Sequence, residues 1–176
     1  MSQDKALVRA LEMAVEMERR GYDFYKKCAA KSGDALGKKV FEALAEDENR
    51  HIGAINCYCA EVADRSETPR LCDAISPHKP IKMRVIFGKR EVELLKNVAP
   101  DTDELRAYEI AMKMENDGYG FYKKSLTETA DANAKDLYEF LLLEEKSHFD
   151  LISSTYELMK NPAGWFIKDE KPIVEG

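Results

Sequence analysis

Two Glu-x-x-His pairs in the sequence have the residue types and the spacing to bind a metal ion. They are Glu48 with His51 and Glu145 with His148. Residues three apart lie on the same face of an α-helix, so both side chains of each pair would point in one direction. Carboxylate and imidazole ligands suit iron or manganese better than structural zinc, which favours thiolates in a closed tetrahedral site.

Two further glutamates precede these pairs at matching positions. Glu18 lies in the centre of an apolar helical stripe, within about 40° of Leu11 and Tyr22, and Glu115 has the corresponding place in the second half. A single glutamate near an apolar face usually bends out to water, but four buried carboxylates with no Lys or Arg on their stripes would be very costly. Because two divalent cations would balance the four charges, the sequence predicts a dinuclear metal site.

An internal repeat sets the elements that must position these residues. A shift of 97 residues aligns Arg9–His51 with Arg106–His148, with 19 identities in 43 positions. Two copies are too few for a solenoid, so they form two halves of one domain. Each half has two stretches with helical periodicity, and the breaks between them lie at Lys31–Asp34 and near Thr127–Asp131. Each half is therefore predicted to be an antiparallel helical hairpin.

Two hairpins joined by a long connection predict an all-α four-helix bundle with one crossover. We expect one domain over residues 1–160 and a C-terminal tail over 161–176. Within the domain, the helix pairs are predicted at about 2–64 and 102–160 and the crossover at about 65–101.

Composition limits the possible functions. The 176 residues include 27 Lys+Arg and 33 Asp+Glu, a net charge of −6, with no long basic run that would favour nucleic-acid binding. Frequent charges in the N-terminal segment are not typical of a signal peptide or a spanning helix. The four cysteines form no Cys-x-x-Cys pair and suggest no disulfide framework. We therefore expect a cytoplasmic protein that binds neither nucleic acid nor membranes.

Together, these motifs resemble the rubrerythrin-like branch of the ferritin-like di-iron carboxylate superfamily. The resemblance covers roughly residues 5–160, and the motifs that carry it are Glu18-x-x-Gly21-x-x-Phe24-Tyr25, Glu48-x-x-His51, Glu115-x-x-Gly118-x-x-Phe121-Tyr122 and Glu145-x-x-His148. It implies a ferritin-like fold and a cofactor of two iron ions, with manganese or a mixed pair as alternatives. The implied metal ligands are the bridging Glu48 and Glu145, the terminal Glu18 and Glu115, and one histidine per metal, His51 and His148.

The resemblance also implies an oxidoreductase that reduces peroxide or dioxygen and acts against oxidative stress. Full-length rubrerythrins carry a rubredoxin-type iron site with two Cys-x-x-Cys pairs, which this sequence lacks. The expected electron donor is therefore a separate protein, such as a rubredoxin-type one. This chain also has Gly118 where those proteins carry an extra carboxylate one turn beyond the third-helix glutamate.

The tyrosines and glycines near the predicted ligands allow more than one interpretation. Tyr25 and Tyr122 lie about two turns beyond Glu18 and Glu115. They could hydrogen-bond a ligating carboxylate from a neighbouring helix or supply an electron, or they could be ordinary core tyrosines. The two motif glycines fit either close helix packing or an opening for a small oxidant.

Two other functions share parts of this pattern. One is a bacterioferritin-type ferroxidase or iron-storage protein, which has the same six-ligand pattern, and the other is a non-catalytic metal-binding structural or sensor domain. The long predicted crossover favours the rubrerythrin-like interpretation over storage. We expect a homodimer, in which the two similar halves would also permit domain swapping.

Overall fold

A computed structural model describes residues 3–64 and 102–162, with side chains described for 6–60 and 103–162. These residues form four long α-helices, and the described part of the chain contains no strand. The helices are α1 (Gln3–Lys31), α2 (Ala35–Asp64), α3 (Thr102–Glu128) and α4 (Ala132–Lys160). The predicted all-α four-helix bundle is confirmed. The predicted crossover and most of the tail lie outside the described residues.

The turn inside each hairpin ends at an aspartate that caps the next helix. Asp34 Oδ2 accepts a hydrogen bond from the N–H of Gly37 at 2.7 Å, and Asp131 Oδ1 accepts one from the N–H of Ala134 at 2.8 Å. These carboxylates replace partners that the first turn of a helix lacks. The two aspartates are 97 residues apart, so both copies of the repeat end their turns in the same way.

Within the bundle, α1 packs along α2 and α3 along α4, and the hairpins meet through α2 with α4 and α1 with α3. The apolar core consists of two separate clusters. The first-turn cluster lies near the α1–α2 turn and includes Tyr25, Leu36, Val40, Phe41, Leu44, Tyr108, Ile152 and Leu158. The second-turn cluster lies near the α3–α4 turn and includes Leu11, Ala14, Ile55, Tyr122, Leu137, Tyr138 and Leu141. The middle of the bundle, between the two clusters, is polar.

Two further observations bear on the sequence predictions. None of the described helices is long and apolar enough to cross a membrane. Cys28 and Cys59 are free thiols, whereas Cys57 is disulfide-bonded, which the cysteine spacing did not predict.

Candidate metal centre

The structure brings all six predicted ligands into the polar layer between the two apolar clusters. Each of the six residues is at most 4% exposed. Helices α1 and α3 each contribute one glutamate, and α2 and α4 each contribute a Glu-x-x-His pair. The six residues are Glu18, Glu48, His51, Glu115, Glu145 and His148.

Among the described residues, three groups of three side chains could each hold a metal ion. The first is Glu18, Glu48 and His51, the second is Glu48, Glu115 and His148, and the third, which lacks Glu48, is His51, Glu144 and His148. In the first group, His51 Nδ1 lies 3.0 Å from Glu18 Oε2 and 3.9 Å from Glu48 Oε2. In the second, His148 Nδ1 lies 3.4 Å from Glu115 Oε2 and 3.5 Å from Glu48 Oε1. Glu48 thus presents one carboxylate oxygen to each histidine, which is the position that a bridging ligand requires.

Glu145 lies beside these groups and packs against the backbone of α3. A Cβ atom added at Gly118 would come within 2.6 Å of Glu145 Oε2. A Cβ added at Gly21 on α1 would come within 3.0 Å of the Glu48 carboxylate carbon. Both glycines therefore leave room for a carboxylate from another helix.

A small opening reaches the site between α1 and α3. Its volume is about 30 Å³, and the four glutamates form its inner wall. Met17, Gly21, Met114 and Gly118 line the rest. Met17 and Met114 are 97 residues apart, and so are Gly21 and Gly118. The motif glycines therefore take part both in close packing and in an opening.

Tyr25 and Tyr122 each connect α1 with α3 through a hydrogen bond to a glutamate of the site. The Tyr25 hydroxyl donates to Glu115 Oε1, and the Tyr122 hydroxyl donates to Glu18 Oε1. Burial, together with the nearby carboxylates, raises the pKa of both tyrosines well above the ordinary value of 10. Both phenols therefore remain protonated and act as hydrogen-bond donors.

The four inner glutamates divide into two pairs by pKa. Burial, and then the charge of neighbouring glutamates, raises the pKa of Glu48 and of Glu145 well above the ordinary value. Burial also acts on Glu18, but hydrogen bonds from Glu48, His51 and Tyr122 and the charge of His51 outweigh it and lower its pKa to about 2. The pKa of Glu115 is likewise lowered, against burial, by the charge of His148.

Both histidines have a raised pKa in spite of burial. The charge of Glu18 is the largest cause for His51, and the charge of Glu115 is the largest cause for His148. The raised pKa values of the two histidines and of Glu48 and Glu145 favour protonation of these groups, which lessens the negative charge of the site. A divalent cation would displace these protons, because both kinds of ligand bind metal in the deprotonated form.

Three residues outside the predicted set complete the site. Asp47 and Glu144, here called the outer acids, lie on the far side of the histidines. Asp47 Oδ2 is 3.4 Å from His148 Nε2, and Glu144 Oε2 is 3.6 Å from His51 Nε2. Arg50 contacts both outer acids. The available signal was an acidic residue immediately before each ligating glutamate, repeated at the 97-residue offset.

The donor set fits two divalent cations. His148 Nδ1 and Glu115 Oε2 are buried, lie 3.4 Å apart, and have no hydrogen-bond partner among the described residues. In the same part of the chain, no lysine or arginine is paired with an inner glutamate. Buried polar atoms without partners are rare and costly, so two of them this close together suit the binding of a cation.

A four-helix bundle that directs four glutamates and two histidines into its centre belongs to the ferritin-like class of carboxylate proteins. A family model, Rubrerythrin, matches residues 9–156. The chain therefore belongs to the rubrerythrin family, as its motifs predicted. No curated protein and no solved structure matches the chain.

Proposed function

We propose that this chain is a di-iron oxidoreductase that reduces peroxide or dioxygen with electrons from a separate protein. The observation that best supports this proposal is the pair of ligand groups that share Glu48. In the proposed site, Glu48 and Glu145 would be shared by the two ions, and each histidine would bind one. When bound, the ions supply the redox equivalents and the Lewis acidity needed to reduce an O–O bond.

The tyrosines orient the terminal glutamates in this proposal. Tyr25 binds Oε1 of Glu115, and the other oxygen of that carboxylate then faces His148 Nδ1 at 3.4 Å. Tyr122 binds Oε1 of Glu18, and the other oxygen faces His51 Nδ1 at 3.0 Å. Each phenol thereby selects the oxygen that is available to a metal ion, and holding a ligand in this way is the usual role of the residues around a metal site.

The small size of the opening between α1 and α3 supports the proposal that the oxidant is a small molecule. Its volume of about 30 Å³ exceeds the roughly 10–15 Å³ that one water molecule needs on the same measure. The methionines beside it, Met17 and Met114, are unbranched and can adjust their rotamers. We therefore expect hydrogen peroxide and dioxygen to enter more readily than an aryl hydroperoxide.

The electron donor and the assembly are further parts of the proposal. We take the donor to be a small redox protein of rubredoxin type, because the sequence itself contains no Cys-x-x-Cys pair. We take the assembly to be a homodimer, since each half of the chain resembles the other closely enough to pair with its counterpart in a second copy.

Metal analysis followed by stopped-flow mixing tests the function. Protein purified without oxygen and loaded with iron(II) is expected to hold two ions per chain. Oxidation by hydrogen peroxide is expected to be much faster than oxidation by dioxygen or by cumene hydroperoxide. Glu18→Gln alters a proposed ligand, and its matched control is Glu16→Gln, because Glu16 is an exposed glutamate on the same helix.

The same measurements separate the alternatives. Fewer than two ions per chain in the wild-type protein would contradict the dinuclear site. Two ions that react fastest with dioxygen, in a large closed shell seen by light scattering, would indicate ferroxidase or storage. Two ions that react with neither oxidant would indicate a structural or sensor domain.

A further inference from the structure

We propose that Arg50 is a positioning residue that aligns both histidines of the metal site through the two outer acids. This inference rests on the metal site proposed above and assigns a role to a residue that contacts none of the six proposed ligands and does not line the opening. Arg50 lies on α2, on the side of the site opposite the α1–α3 opening.

The first contact of Arg50 is with the acid that faces His148. Its Nε donates to Asp47 Oδ1 at 3.1 Å, and its Nη2 donates to the same oxygen. The other oxygen of Asp47, Oδ2, lies 3.4 Å from His148 Nε2. The arginine and the histidine thus use different oxygens of one carboxylate, and Asp47 connects them directly.

The second contact crosses from one hairpin to the other. Arg50 Nη2 lies 3.4 Å from Glu144 Oε2 on α4. The same oxygen of Glu144 lies 3.6 Å from His51 Nε2. One guanidinium group therefore reaches both outer acids, and through them it reaches the imidazole of each Glu-x-x-His pair.

The chemistry of histidine ligation gives this arrangement its importance. A carboxylate beside Nε2 favours the tautomer that carries its proton there, which leaves the lone pair of Nδ1 free to bind a metal. In both histidines Nδ1 is the atom that faces the inner glutamates. Each outer acid must stay in place beside Nε2 to hold this tautomer, and Arg50 contacts both outer acids.

The internal repeat contains two outer acids but only one arginine at the position of Arg50, so a single arginine would serve both histidines. The outer acids are a repeated pair, since Asp47 and Glu144 are 97 residues apart, but the residue that matches Arg50 is Ser147. The side chain of Arg50 is only 30% exposed, and the outer acids are less exposed still. Loss of this one cation would leave two largely buried carboxylates without their arginine.

Titration with cobalt(II) tests the proposal on the purified full chain, with binding followed by its absorption spectrum and by competition with a chelator. Arg50→Gln is expected to weaken binding about 10–100-fold, the usual effect of losing a partner of a metal ligand. Arg50→Lys is expected to restore part of the affinity, because an ammonium group keeps the charge but lacks the fork that reaches two acids. Arg20→Gln removes an exposed arginine paired with Glu16 and is the control expected to bind like wild type.

Moving the arginine to the matching position of the other repeat distinguishes a positioning role from a general effect on stability. The double variant Arg50→Ser with Ser147→Arg moves the guanidinium group to the matching position on α4, from which it can reach both outer acids. It is expected to regain wild-type affinity. Nitrogen NMR of the zinc(II)-loaded protein, in which the histidines bind as neutral imidazoles, is expected to show Nε2–H tautomers in the wild type and in the double variant, and mixed tautomers in Arg50→Gln.

The outcomes separate this proposal from the metal site itself. Wild-type binding of two ions with unchanged affinity in Arg50→Gln would overturn the role of Arg50 and leave the metal site standing. Failure of the wild type to bind would instead contradict the proposed function. If Arg50→Gln does not fold, the double variant decides: regained fold and affinity support the proposal, and regained fold without affinity overturns it.

Discussion

The two hairpins can be compared residue by residue, because the repeat places one on the other. Positions that face the site are the same in both: the Glu-x-x-His pair, the glutamate of the preceding helix, its tyrosine and its glycine. Positions one layer away differ, as with Arg50 and Ser147. The comparison teaches that the site needs two equal sets of inner ligands, whereas one arginine is sufficient for both outer acids.

The halves also differ in the aromatic residue beside each tyrosine. Phe41 stacks on Tyr25 and on Tyr108, with ring centroids 6.2 Å and 4.8 Å apart. Its counterpart Tyr138 lies 6.2 Å from Tyr122 and lines a cavity of about 360 Å³ near the α3–α4 turn. The hydroxyls of Tyr138 at the second turn and of Tyr108 at the first are both buried and have no hydrogen-bond partner in the described part of the chain. The aromatic contacts of the two clusters therefore differ, whereas each cluster contains one such tyrosine.

The largest expected effect is a difference in metal binding between variants of the two proposed bridging glutamates. Glu48 belongs to two of the three ligand groups and Glu145 to none, so Glu48→Ala is expected to lose both ions, whereas Glu145→Ala loses affinity less completely. With metal present, the free energy of unfolding is expected to fall by about 3–5 kcal/mol for Glu48→Ala, because the remaining buried charges lose their counter-ions. Metal analysis and urea denaturation measure both effects. Two ions per chain in both variants would show that the ligands are misassigned.

A smaller effect is expected at the two motif glycines. Gly118→Ala places a Cβ 2.6 Å from Glu145 Oε2, closer than the 3.0 Å contact at Gly21. Gly118→Ala is therefore expected to displace the Glu145 carboxylate, weaken metal binding and lower the free energy of unfolding by about 1–3 kcal/mol. The loss is expected to be smaller for Gly21→Ala. Gly53→Ala and Gly120→Ala have open space and should stabilise their helices by up to about 1 kcal/mol. If Gly118→Ala matched these controls in cobalt(II) titration and denaturation, the close approach of Glu145 would be refuted.

The pH dependence is expected to have the same sign in both hairpins. Glu48, Glu145 and the two histidines have raised pKa values, so their contribution to stability is complete below the ordinary values of 4.5 and 6.5 and falls as pH rises above them. Glu18 and Glu115 have lowered pKa values, and their contribution is complete above 4.5 and is lost as pH falls.

The metal-free protein is therefore expected to lose stability between pH 5 and 8, by at most about 1.4 kcal/mol per pH unit for each proton released. Added metal should have the opposite dependence, because it competes with these protons. Denaturation midpoints across this range, with and without metal, check both signs. A metal-free protein that becomes more stable toward pH 8 would contradict the pKa directions.

The smallest effect is expected at the two capping aspartates. Asp34→Ala and Asp131→Ala should each cost about 1 kcal/mol, the usual value for an N-cap. The loss should be greater for Asp131, because the Tyr58 hydroxyl also donates to its Oδ1 at 2.9 Å. Thermal denaturation of both variants and of Tyr58→Phe separates the two contributions. Equal losses in the two caps would show that the Tyr58 contact adds nothing.

The sequence predicted the helices and the inner ligands because both depend on spacing within one hairpin. Apolar periodicity identifies the buried stripe, and the repeat shows which glutamates on it occur twice. Contacts between hairpins do not follow from such spacing. Asp47 meets a histidine 101 residues away, so the repeated acid before each ligating glutamate marks the outer acids but does not show which histidine each one faces or that Arg50 contacts both. The repeat also makes Glu48 and Glu145 equivalent, although Glu48 lies in two of the three ligand groups of the structure and Glu145 in none.

The polar layer that separates the two apolar clusters has a consequence for the cooperativity of folding. Each cluster can exclude water on its own, whereas without metal the layer between them holds buried polar and ionisable groups whose desolvation is costly. Cations at the centre would join the two clusters into one unit that opens together. Metal occupancy thereby sets whether amide hydrogens near the two turns exchange with separate opening free energies or with a common one.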